Sequence, residues 1–132
     1  MDPAESLADL TQISTQVERA VIVRADGSVA AATVADEMLA RRIADGAVRL
    51  WECADRARQD LGRPELSQLE VAMGEGSVFA VRDSDHLVVA VTSPEPTVGL
   101  IFYDLKTCLR NLREQPEDAD ARVGGGGDDA GA

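Results

Sequence analysis

Apolar residues in this chain follow two periods. Between residues 36 and 61 (DEMLARRIADGAVRLWECADRARQDL) they step by three and four, the period of a helix, while on either side they alternate or run continuously in short stretches, as strands do. Asp2-Pro3-Ala4-Glu5 sets a capping aspartate, a first-turn proline and a capping-box glutamate ahead of Leu7, Leu10 and Ile13, so a short helix is expected over about residues 3 to 14. The run Glu18 to Arg24, the turn Ala25-Asp26-Gly27-Ser28 and the alanine-rich VAAAT predict a β-hairpin closed by Asp-Gly, its second strand small enough to let a helix pack close. Asp36 and Glu37 start the long helix, and Gly62 and Pro64 stop it.

Three strands are expected next. Leu66 to Met73 places Leu69, Val71 and Met73 on one face with Gln68 and Glu70 on the other. Gly74-Glu75-Gly76 turns the chain into Ser77 to Asp83, and Asp83-Ser84-Asp85 turns it again into His86 to Thr92, whose near-continuous apolar run suits a strand covered on both faces. After Ser93-Pro94-Glu95-Pro96 a closing helix carries Val98, Ile101, Phe102, Leu105, Leu109 and Leu112 on one stripe. The order α-β-β-α-β-β-β-α predicts an α/β fold of the α+β, three-layer kind. A roughly five-stranded antiparallel sheet carries the long helix on one face and the two terminal helices on the other. Residues 1–113 make one domain, and the acidic, glycine-rich stretch 114–132 reads as a disordered tail.

The long helix is apolar on two faces. Leu39, Ile43, Gly46, Leu50, Ala54, Ala57 and Leu61 form the stripe expected to face the core, and Ala40, Ala44, Ala47, Val48 and Trp51 form a second one beside it. A small domain has nothing of its own to lay over a second stripe, so a second chain is the expected cover.

The formal charge of −11 repels phosphate backbones and anionic lipid. Arg41, Arg42, Arg49, Arg56 and Arg58 are interspersed with Asp45, Glu52, Asp55 and Asp60, which makes a mixed-charge solvated face rather than a nucleic-acid patch. No apolar run is long enough to span a bilayer and the N-terminus lacks the layout of a secretory signal, so a cytoplasmic protein without membrane insertion is expected. Cys53 and Cys108 fall on apolar-stripe positions of helices and are expected to be reduced and buried.

No constellation of catalytic groups appears, and no metal or cofactor site. Gly74-Glu75-Gly76 lacks the lysine and following helix of a phosphate loop. His86 stands without a second ligand or nucleophile, and neither cysteine has a base. Trp51 reads equally as core aromatic or as interface anchor.

The stretches VERAVIVRADGSVAA and GEGSVFAVRDSDHLVVAV, preceded by Leu7/Leu10 and followed by an amphipathic helix, resemble the Roadblock/LC7 family over about residues 5 to 113. In particular the chain looks like the stand-alone bacterial members, MglB-like and conservon-like, that partner small Ras-like GTPases. Several relatives carry Pro-Gly-Val before the first strand, where this chain has Thr15-Gln16-Val17-Glu18. The resemblance implies a non-enzymatic homodimeric scaffold, paired through antiparallel central helices and through an edge strand. It would put Ala40, Ala44, Ala47, Val48 and Trp51 at the helix contact, Leu66, Gln68 and Glu70 at the strand contact, and Arg41, Arg49 and Arg56 toward a GTPase. The alternative is a profilin-like module that binds a small molecule under the long helix.

Overall fold

The computed structural model describes residues 1–113; the expected tail, 114–132, lies outside the described residues. The elements run α1 (Pro3–Ile13), β1 (Val17–Arg24), β2 (Val29–Ala32), α2 (Glu37–Asp60), β3 (Gln68–Met73), β4 (Gly76–Arg82), β5 (His86–Thr92) and α3 (Val98–Arg113). The strands form one five-stranded sheet in the order β2-β1-β5-β4-β3, with every pairing antiparallel. β5, the most hydrophobic strand, lies at its centre, and β3 is an edge.

Local chemistry sets the helix starts. Asp2 accepts from the Glu5 amide while the Glu5 side chain accepts from the Asp2 amide, the expected capping box. Asp36 accepts from the amides of Met38 and Leu39 at the head of α2. The Asp26-Gly27 turn closes β1 on β2 with Gly27 at φ 90°.

The sheet separates two hydrophobic clusters. On one face α1 and α3 pack Leu7, Leu10, Ile101, Leu105 and Leu109 against Ile22, Phe79, Val88 and Ala90, with Phe79 and Phe102 edge to face at 5.0 Å between ring centroids. On the other, α2 packs Ala44, Ala47 and Trp51 against Val21, Val23, Ala80, Leu87 and Val89. The three-layer arrangement read from the sequence is therefore the one observed. Alanines of β2 serve both layers: Ala30 and Ala31 pack toward α1 and α3, and Ala32 toward α2.

Candidate functional site

The two apolar stripes of α2 have exchanged roles. Ala40, Ala44, Ala47 and Trp51, expected to await a second chain, are buried in the chain's own core, and Val48 packs partly buried against it. Those four residues thus face the chain's own sheet, while Val48, partly exposed, stands at the margin of that face. Leu39 and Ile43 are only half-buried, and Gly46, Leu50, Ala57 and Leu61 are exposed. At 100° per residue this outward stripe lies about a quarter-turn round the helix from the buried one. The physical reason is packing distance: small alanines let the helix axis lie close to the sheet, and one tryptophan fills the remaining space. A Leu/Ile stripe of larger volume would hold the helix further out.

Gly46 sits in the middle of this exposed stripe. A Cβ placed there would meet nothing within 4 Å, so nothing inside the chain demands a glycine. Cys53 borders the same stripe and is exposed, which corrects the expectation that both cysteines are buried; Cys108 is the buried one. Cys108 instead ties α3 to α1. The Ser6 hydroxyl donates to the Cys108 carbonyl at 2.8 Å and lies 3.2 Å from its Sγ. Burial pushes the Cys108 thiol pKa up, and the Ser6 hydrogen bond opposes that only in part.

β3 presents an unpaired edge beside α2. The Asp55 carboxylate accepts from the Leu66 amide at 3.2 Å, and Arg58 Nε donates to the Pro64 carbonyl at 3.0 Å, so the C-terminal half of α2 is fastened to the lead-in of β3. Leu66 precedes the strand and packs, partly buried, against the α2 cluster together with Leu69. Gln68 and Glu70 lie within β3, opposite Val81 and Phe79 of β4. The residues singled out from sequence thus divide: Gln68 and Glu70 stand on the edge strand, Leu66 and Val48 are partly exposed, and Ala40, Ala44, Ala47 and Trp51 are buried beneath α2. Arg41, Arg49 and Arg56 are all exposed on α2. Arg49 and Arg56, two turns apart, share a face.

One end of the sheet holds a cavity of about 420 Å³, between the β1–β2 turn, the β4–β5 turn and the middle of α2. Val48, Trp51 and Glu52 line it from α2, Asp26 and Gly27 from the first hairpin, and Arg82 to Leu87 from the second. Three buried polar atoms of its lining residues have no hydrogen-bond partner: Trp51 Nε1, Asp83 Oδ2 and His86 Nδ1. The Arg82 guanidinium lies over the Trp51 ring, its Cζ 5.4 Å from the centroid. Asp83 spends its other oxygen on the turn, accepting from the amides of Asp85 and His86 at 2.9 Å. Asp26 is likewise committed: its carboxylate accepts from the Ser28 hydroxyl and amide, which holds its pKa below the usual value.

His86 and Trp51 line the same cavity, which the sequence conceals because they come from different elements. Gly74-Glu75-Gly76 is the expected hairpin turn, with Met73 paired to Gly76. Among the described residues no group of three or more His, Cys, Asp or Glu is placed to hold a metal ion, and no helix is long and apolar enough to cross a membrane.

Comparison with known proteins gives this geometry a family. No curated protein matches the sequence. Among solved structures, a Roadblock/LC7 domain from Streptomyces avermitilis superposes with a TM-score of 0.78 at 19% identity, covering 86% of this chain and 96% of that one. The gliding protein MglB from Thermus thermophilus gives 0.66 at 16% identity, with 87% and 88% covered. MglB of Myxococcus xanthus gives 0.65 at 12% identity, with 83% and 80% covered. At these identities the likeness is one of fold. The Roadblock/LC7 domain model itself matches residues 3–93, well over half of the sequence, and on that match the chain belongs to the Roadblock/LC7 domain family.

Proposed function

We propose that this chain is a non-catalytic, cytoplasmic scaffold that pairs with a second copy of itself and docks a small Ras-like GTPase. The observation that carries the pairing is the outward flank of α2, with exposed Leu50 and Leu61 around an unconstrained Gly46, fastened next to an open β-strand edge. A mid-helix glycine costs the helix about 0.5–1 kcal/mol relative to alanine. On an exposed face that cost is offset if another helix approaches closely there. The edge of β3 carries no proline and offers its main-chain groups to a second strand. The residues proposed for the pair are Leu39, Gly46 and Leu50 of α2 and its C-cap Leu61, with Gln68 and Glu70 of β3.

The GTPase reading rests on the family and on the stand-alone bacterial members that the sequence resembles. Exposed Arg41, Arg49 and Arg56 are the groups proposed to meet the partner. Such a scaffold needs no catalytic residue: by binding one arrangement of the switch loops better than the other it shifts their population and changes turnover.

Light scattering on the wild type, Leu50→Glu and Gly46→Leu tests the pairing. A dimeric wild type with both variants monomeric is the expected result, and a monomeric wild type at high micromolar concentration overturns it. A small Ras-like GTPase from the same genome then serves as bait. Retention on the wild type, weakened by the combined Arg41→Ala, Arg49→Ala and Arg56→Ala change, supports the docking reading, and no retention removes it.

A further inference from the structure

The outward side of α3, on the face of the sheet opposite α2, carries a pattern that pairing and docking leave unused. At 100° per residue Leu100, Tyr103, Thr107 and Arg110 share one side of the helix, with Lys106 and Arg113 along its margin. Leu100 is 49% exposed and Tyr103 64%, and Lys106, Arg110 and Arg113 are exposed as well. The one carboxylate of α3, Asp104, is buried on the inward side. The outward face is therefore apolar toward its N-terminal end and cationic toward its C-terminal end. Two side-chain bonds order it: Arg110 Nη2 donates to the Thr107 hydroxyl at 3.2 Å, and that hydroxyl donates to the Tyr103 carbonyl at 3.0 Å.

The chain leaves α3 at Arg113, beside these cations, and the sequence that follows is their complement. Residues 114–132 hold six carboxylates, Glu114, Glu117, Asp118, Asp120, Asp128 and Asp129, against Arg122 alone. Away from Arg113 the sequence is first acidic, at Glu117, Asp118 and Asp120, and then apolar, at Ala121 and Val123. Back along α3 from the same point the surface is first cationic and then apolar. The lengths agree too. From Arg113 to Leu100 the helix measures about 20 Å at 1.5 Å per residue. At roughly 3.3 Å per residue, Glu117 to Asp120 reach at most about 13–23 Å from Arg113, and Val123 about 33 Å.

We propose that residues 117–123 dock on the outward face of α3 in the same chain, antiparallel to it. Glu117, Asp118 and Asp120 meet Arg110 and Lys106, and Val123 meets Tyr103 and Leu100. Pro116 falls where the chain reverses; lacking an N–H, it is poorly suited to extend the helix. Each exposed ion pair is weak, but the tether holds the segment at a roughly millimolar effective concentration, so a few such pairs suffice. Docked in this way, the segment covers a surface that an acidic partner would otherwise meet. The contact rests on neither the pairing through α2 nor the GTPase.

Backbone amide NMR on the full chain is the experiment. Glu117→Gln, Asp118→Asn and Asp120→Asn together neutralise the segment, and Lys106→Gln with Arg110→Gln neutralises the face while keeping good helix formers. Neutralising the segment is expected to shift the amides of Leu100 and Tyr103, which lie far from those substitutions in sequence. In the Lys106→Gln, Arg110→Gln background the same change is expected to leave both amides where they are, because the two sets act through one contact. Sodium chloride at about 1 M, where the Debye length falls to about 3 Å, is expected to move them in the wild type and not in the neutralised chain.

Unmoved Leu100 and Tyr103 amides on neutralising the segment overturn the docking. An equal shift in the Lys106→Gln, Arg110→Gln background overturns it as well. Labelled wild type mixed with an excess of unlabelled neutralised chain is expected to keep its own amide positions. Movement toward the neutralised positions in that mixture means that the segment crosses to a second copy, which overturns docking within one chain.

Discussion

Asp104 is 6% exposed on α3, with one carboxylate oxygen lacking any partner. Burial raises its pKa above the ordinary aspartate value of 3.8, and a hydrogen bond from the Ser14 side chain opposes the rise. Ser14 is the C-cap of α1, so the carboxylate also faces the negative end of a helix. Because the folded-state pKa lies above the unfolded one, this group's contribution to stability is fully present below pH 3.8 and is lost as pH rises through the folded value. Asp104→Asn should therefore raise the unfolding free energy by roughly 1 kcal/mol at neutral pH. In urea titrations the advantage should shrink toward zero as the pH falls below about 4. Gly76 is constrained by space instead: a Cβ there would collide with the Thr92 carbonyl on the neighbouring strand. Gly76→Ala is expected to cost about 2 kcal/mol or more, read from the same titrations, because the obstacle is backbone and cannot turn aside.

Among the elements, α2 shows both how far the sequence can be read and where it stops. Its ends were legible because caps and breakers are local: Asp36 bonds to amides two and three residues on, and Gly62 takes the positive φ of 68° that ends a helix. Its inward face was not, since two adjacent stripes are both apolar and the choice depends on how near the helix lies to the sheet. Alanines over an alanine-bearing β2 decide it in favour of the smaller stripe. Gly46 separates the two demands on this helix. Gly46→Ala should raise monomer stability in urea by about 0.5–1 kcal/mol at high dilution, where self-association plays no part. Gly46→Leu should keep the helical signal by circular dichroism yet sediment as a monomer at concentrations where the wild type pairs. The strand alternation in β3 was equally readable, with Leu69 on the α2 cluster, Val71 on the same face and Gln68 and Glu70 on the reverse, because a period of two is a property of the backbone; Met73, expected on the same face, is 53% exposed at the strand's end.

At the scale of the whole molecule, the layer order followed from the succession of elements, while the residues that line the cavity could not be read in advance. Trp51, Asp83 and His86 come from α2 and the β4–β5 turn, and nothing in their spacing announces that they converge. The missing partners of their polar atoms become visible only once neighbouring chain has taken the solvent away. The central sheet has a further effect on how the molecule bears change. Val88 and Val89 are consecutive on β5, yet Val88 belongs to the cluster under α1 and α3, and Val89 to the cluster under α2. Residues with separate partners lose stability independently, whereas residues of one cluster share the hole left behind. Truncating Val88 and Val89 together should therefore cost the sum of the two single losses within about 0.5 kcal/mol, whereas Val88→Ala combined with Ile101→Val should depart from its sum. Each side of the sheet can then drift in sequence under its own constraints, so a lineage could reshape the α2 surface and its cavity while the opposite core stays as it was.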